Sequence, residues 1–141
     1  MTDGTSQDSI YSLFSTDKAL EQDGIEIRYG KYGTFRVARA GGANKKFGKT
    51  LEAKARPYRR LIDQNILDES VGNDIMADTF AETVLLGWEG VRDRDGNLLP
   101  FSVEAAKKLL RDIPDLFTFL RDEAMKFSNY RAESIEDDAK N

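Results

Sequence analysis

The 141-residue chain contains no cysteine and no histidine. Without cysteine there is no disulfide, no thiolate nucleophile and no thiolate metal site, which agrees with a reducing compartment. Without histidine the chain loses the commonest general base and metal ligand, and with it every Ser-His or Cys-His arrangement. No apolar run approaches the ~20 residues of a membrane span, and the polar opening Met1-Thr2-Asp3-Gly4 does not read as a signal peptide. The expectation is a non-enzymatic protein, away from membranes, with no catalytic residues, cofactor or metal site.

What is present favours a folded domain. Hydrophobic residues make up 40% and aromatics 10% of the chain, enough to escape disorder. The length suits one core rather than two. The net charge of −4 hides an uneven distribution. Residues 24 to 66 hold eleven Lys/Arg against three Asp/Glu, whereas the remainder holds ten against twenty-two. Such asymmetry points either to nucleic-acid binding or to complementary faces within the fold or between subunits. The overall acidic balance favours the second, so nucleic acid is not expected as a partner.

Periodicity divides the chain into a polar start (residues 1–9), a single globular domain (10–131) and a loose acidic tail (132–141). Ile10-Tyr11-Ser12-Leu13-Phe14 is a short apolar anchor, and Ser15-Thr16-Asp17 can cap a turn containing Ala19 and Leu20. Ile25, Ile27 and Tyr29 alternate with Glu26 and Arg28, and Thr34 to Arg39 returns after a Tyr-Gly-Lys-Tyr-Gly turn. Together they predict a β-hairpin. A hairpin alone is marginal in water, so it must pack on something.

From Asn44 the spacing becomes helical. Phe47, Leu51, Ala55, Tyr58 and Ile62 form one inward stripe, with Pro57 predicting a kink or two consecutive helices. Asp68-Glu69-Ser70 opens a long helix whose stripe is Met76, Phe80, Val84 and Trp88. Asp93-Arg94-Asp95-Gly96-Asn97 is a turn, and Ser102 caps a helix with Val103, Ala106, Leu109 and Leu110 inward. Pro114 stops it. A last helix opens at Asp115 with Leu116, Leu120, Ala124 and Phe127 in one stripe and Phe117 beside it. The expected fold is α+β and mainly helical, an N-terminal β-hairpin followed by four to five helices.

Two motifs imitate chemistry. Ala43 to Thr50 fits the pattern of a phosphate-binding loop, and it lies between a strand and a helix. Phe47, however, belongs to the helical stripe, the preceding strand is short and interrupted by arginines, and repeated βαβ units are lacking. The match is read as accidental. Asp93, Asp95, Asn97 and Glu104 imitate positions 1, 3, 5 and 12 of a calcium loop, but Leu98 stands where that loop needs glycine. A tight polar turn followed by a helix start explains these residues better. The basic face Lys45, Lys46, Lys49, Lys54, Arg56, Arg59 and Arg60 can contact phosphates. A solvated or ion-paired face is the simpler reading, since Phe47 and Tyr58 are expected to face the core.

The most distinctive segment is Leu85-Leu86-Gly87-Trp88-Glu89-Gly90-Val91, followed by Asp95-Gly96 and Leu99-Pro100-Phe101-Ser102. It resembles the signature of tail assembly chaperones from long-tailed bacteriophages: Trp-x-Gly-Val, an acidic Asp-Gly turn, then x-Pro-Phe-Ser. The resemblance extends from about Ile25 to Tyr130, including Asn44 and Phe47 at a helix start, Arg56-Pro57-Tyr58, and Asp115-Leu116.

The resemblance implies a protein of the host cytoplasm that binds the tape measure protein and keeps its apolar helices soluble. It further implies help in recruiting tail tube protein, possible homo-oligomers, displacement before the virion matures, and often a frameshifted longer form. It supplies no catalytic set. Trp88, Phe101 and Phe117 are the candidate partner-binding residues, with a core role as the competing reading for Trp88. The alternatives are a permanent virion component (a head-to-tail joining or tail terminator subunit) and a small nucleic-acid-binding regulator.

Overall fold

A computed structural model describes residues 8–132. Its element order is α1 (Ile10–Leu13), α2 (Lys18–Asp23), β1 (Ile25–Arg28), β2 (Thr34–Val37), α3 (Lys45–Ala55), α4 (Arg59–Asp63), α5 (Glu69–Thr83), β3 (Leu85–Glu89), α6 (Val103–Asp112) and α7 (Pro114–Met125), with single 3-10 turns at Gly30–Tyr32, Arg56–Tyr58 and Phe127–Tyr130. The class is α+β and mainly helical, as the sequence predicts. The expected hairpin is present, but two short helices precede it and a third strand joins it, so it is neither N-terminal nor a two-stranded unit.

The caps explain the helix starts. The Asp17 carboxylate accepts from the amides of Ala19 (3.0 Å) and Leu20 (3.2 Å) at α2. Asp68 accepts from the Ser70 amide at α5 (2.9 Å), and Ser102 from the Ala105 amide at α6 (3.0 Å). Each satisfies amides that a helix start otherwise leaves without partners. Ser9 caps α1 in the same way, so this residue of the polar start is ordered, while residues 1–7 lie outside the described residues. Of the acidic segment, 133–141 lies outside them too. The apolar anchor 10–14 is mostly exposed; Phe14 alone stacks, against Phe127 with ring centroids 4.7 Å apart.

β2 is the central strand. It pairs antiparallel with β1, Ile25 opposite Val37 and Ile27 opposite Phe35, and antiparallel with β3, Phe35 opposite Trp88. Gly33 precedes it at φ +128°, and a Cβ there would stand 2.7 Å from Val91 Cγ2, so no side chain fits the turn. The core packs this sheet against α5, α6 and α7 through Phe35, Val37, Phe80, Val84, Trp88, Leu110 and Leu120. Tyr130 closes it from the C-terminal side, fully buried, its hydroxyl donating to Val37 O (3.2 Å). Burial pushes that phenol well above the ordinary tyrosine value.

Three expectations are corrected. Trp88 does not continue the long helix: α5 ends at Thr83, and Leu85–Glu89 is a strand. A β-bulge opposite Arg36/Val37, with Leu86 as the extra residue in β3, leaves Leu85 and Trp88 both inward, which hides the alternation of a strand and imitates helical i, i+3 spacing. Pro57 breaks the 44–62 stripe as expected, but Tyr58 and Ile62 beyond it are exposed rather than inward. Val103 is 39% exposed, whereas Ala106 and Leu110 are buried as expected.

Candidate functional site

The two motifs that imitate chemistry resolve into structural parts. α3 begins at Lys45, so Phe47, Gly48, Lys49 and Thr50 are helical, and no loop of outward amides remains to cradle a phosphate. Asn44, next to them, is buried and donates from Nδ2 to the carbonyls of Arg39 and Thr83, both at 2.9 Å. Asp93 Oδ1 accepts from the amides of Asp95 and Asn97, both at 2.9 Å, which makes it the organiser of its own turn. Glu104 points away, its side chain 86% exposed.

The charge asymmetry is in part an internal complementarity. Lys54 of α3 and Lys107 of α6 both reach Glu82 of α5, at 2.7 and 2.8 Å. Burial alone would raise the Glu82 carboxyl, but these hydrogen bonds outweigh it and hold it below the ordinary value. Arg111 of α6 pairs with Asp78 of α5 at 2.6 Å.

Of the three candidate partner-binding residues, Trp88 is in the core, and Phe101 and Phe117 pack against it half-buried. Trp88 is 9% exposed, donates from Nε1 to Leu99 O (2.7 Å), and meets Phe101 edge-on at 4.9 Å and Phe35 at 6.0 Å. The expected contact with the Phe101 segment is therefore present. Phe101 and Phe117 are half-buried, Phe117 edge-on to Phe80 at 5.3 Å.

The open apolar surface lies elsewhere. A groove with two lobes of about 590 and 600 Å³ runs between the hairpin turn, the 90–99 turn and the junction of α6 with α7. Arg92, Asp93, Leu109 and Ile113 line both lobes. Leu99 and Ala105 floor one lobe; Tyr29, Tyr32, Phe35, Val91, Leu116 and Phe119 line the other. Tyr32 is 72%, Phe119 64% and Ile113 44% exposed.

Ile113 is where it is because of Pro114. A residue before proline is disfavoured in the helical region, and Ile113 is non-helical at φ −127°, ψ 81°, which leaves its side chain at the junction of two helices. Phe119 lies off the Leu116-Leu120-Ala124 stripe, so the helical period turns it outward. Those two signals were readable in the sequence; Tyr32 in the hairpin turn had none.

The rim carries both signs: Lys31, Arg92, Arg94 and Lys108 beside Asp93, Asp95, Asp112 and Asp115. Lys108 donates to Asp112 at 2.9 Å and holds that carboxyl below its usual range. An apolar floor with a mixed-charge rim suits the apolar face of an amphipathic helix. Among the described residues no three acidic, histidine or cysteine side chains converge to hold a metal ion, and no helix is long and apolar enough to cross a membrane.

A family model described as YdaY prophage protein matches residues 42–141. It covers α3 to α7 and β3, and leaves out the hairpin that contributes Tyr29, Tyr32 and Phe35 to the groove. No match was found to a curated protein or to a solved structure.

Proposed function

The chain belongs to the family of YdaY prophage proteins, and from that premise we propose that it is a phage tail assembly chaperone whose groove holds apolar helical segments of a tape measure protein. The observation that carries this reading is the groove itself, an open apolar surface at the meeting of α6 and α7 with the two turns, rimmed by charges of both signs. A helix laid into it would bury its i, i+3, i+4 apolar face against Leu109, Ile113, Leu116 and Phe119. The resemblance of residues 85 to 102 to the chaperone signature supports the same reading. The net negative charge keeps a carrier of apolar cargo soluble.

On this reading the protein works in the host cytoplasm without catalysis, cofactor or metal. It holds the tape measure protein until tail tube subunits assemble around it, and then leaves. Co-expression tests it: the chain should convert an insoluble tape measure protein into a soluble complex, with modest dependence on salt because the contact is mainly apolar. A tape measure protein equally insoluble with and without the chain would contradict the proposal. Stoichiometric presence of the chain in mature virions would replace it with a structural role.

A further inference from the structure

The described chain ends close to the start of α3. The Ala132 amide donates to Ser15 O (3.3 Å), Arg131 bridges to Thr16, and the Asp17 amide donates to Tyr130 O (2.8 Å). α2 leads away from this point. At its far end the Ala43 amide donates to Glu21 Oε1 (3.3 Å) and Gln22 Nε2 donates to Ala43 O (3.1 Å). Glu21 is buried there with Arg39 as its ion partner. Six residues of helix, about 9 Å long, therefore separate the point where the described residues end from the residues that begin α3.

Lys45, Lys46 and Lys49 stand exposed at that point. Farther along the same basic face, Lys54, Arg56 and Arg59 each have a carboxylate, Glu82 or Glu52. The three lysines form no ion pair among the described residues. They also crowd the positive end of the α3 dipole, where cations are disfavoured. Positive charge is thus concentrated without a paired carboxylate among the described residues. Beyond Ala132 the sequence carries Glu133, Glu136, Asp137 and Asp138 against the single Lys140. Nine residues extend to about 30 Å, which covers the gap comfortably.

We propose that Lys45, Lys46 and Lys49 form a receptor for the chain's own acidic segment, residues 133–141. Each exposed ion pair is weak alone. Attachment to the same fold, however, supplies the segment at a local concentration on the order of millimolar, so that several weak pairs act together. The contact covers the basic face while no partner is bound. It is broken by salt and by any stronger polyanion that competes for the same lysines.

The cysteine-free chain makes the test clean, because Ala139→Cys introduces one unique thiol for a nitroxide label. At low ionic strength the label should broaden the amide signals of Lys45 to Thr50. The broadening should be at least twofold stronger than in a chain that also carries Glu133→Gln, Glu136→Gln, Asp137→Asn and Asp138→Asn. That second chain has the same reach without the charge. The difference should vanish near 1 M salt, where the Debye length is ~3 Å, and in a chain with Lys45→Glu, Lys46→Glu and Lys49→Glu. Equal broadening in the charged and neutralised chains at low salt would overturn the proposal. So would broadening that arises only when the label and the observed amides are on different molecules, which would make the occupant a second copy.

Discussion

Two stretches of this molecule carry the same helical spacing of large apolar residues and meet opposite fates. In 76–88 the stripe Met76, Phe80, Val84, Trp88 is almost wholly buried, and in 47–62 the stripe Phe47, Leu51, Ala55, Tyr58, Ile62 is half-buried in its first part and exposed in its second. Every residue from Arg56 to Ile66 is exposed, including Tyr58, Leu61, Ile62 and Ile66. The difference is not hydrophobicity. The first stripe has β2, α6 and the Phe101 segment opposite it, whereas the second runs past Pro57 into solvent. Periodicity states which face of a segment is apolar; only the presence of another element decides whether that face is buried.

The comparison predicts unequal mutational costs. Trp88→Ala removes a ring that fills the space between Phe35 and Phe101 and leaves Leu99 O without its donor, so denaturant unfolding should show a loss of about 3–5 kcal/mol. Ile62→Ala, an apolar truncation of the same kind in the exposed arm, should stay within about 0.5 kcal/mol in the same experiment. Similar losses at both positions would mean that the arm is packed in solution and the contrast is wrong.

A smaller effect sharpens the electrostatic side of the contrast. Glu82, between Lys54 and Lys107, has a carboxyl held below the ordinary value of 4.5 in the folded protein. A depressed acid stabilises the fold above its unfolded value and loses that contribution as pH falls through the folded value. Glu82→Gln should therefore be less stable than the parent at pH 7, with the gap closing below about pH 4.5. A gap that is the same at pH 7 and well below pH 4 would show that the pairs contribute nothing. Smallest of all is Lys49→Ala, an exposed change in α3 that should alter stability by a few tenths of a kcal/mol and leave no nucleotide binding to lose. ATP or GTP binding by the parent chain, abolished in this variant, would restore the phosphate-loop reading.

Much of the fold was legible because local chemistry and tertiary packing agree. Asp17 and Ser102 mark helix starts both in sequence and in structure, Pro114 follows the end of α6 as expected and itself opens α7 one residue before the expected Asp115, and Ile25 and Ile27 alternate as a half-buried strand should. β3 was not legible: with a bulge at Leu86 in β3 itself, Leu85 and Trp88 face inward three residues apart, a spacing that belongs to helices. The groove was only partly legible. Ile113 before a proline and Phe119 off its stripe are local signals, but the approach of Tyr32 from the hairpin turn is a long-range contact that no spacing encodes. Large aromatics serve interfaces and cores alike: Trp88 is in the core, while Phe101 and Phe117 pack against it half-buried.

The central claim, that the groove rather than the arm receives the tape measure protein, is tested most directly by co-expression with paired variants. Phe119→Glu places a charge on the exposed wall of the groove, and Ile66→Glu does the same in the arm, where the parent residues are 64% and 61% exposed. Both variants should fold, as circular dichroism can verify beforehand. The account predicts that Phe119→Glu loses the ability to keep the tape measure protein soluble while Ile66→Glu retains it. Loss with Ile66→Glu and retention with Phe119→Glu would contradict it.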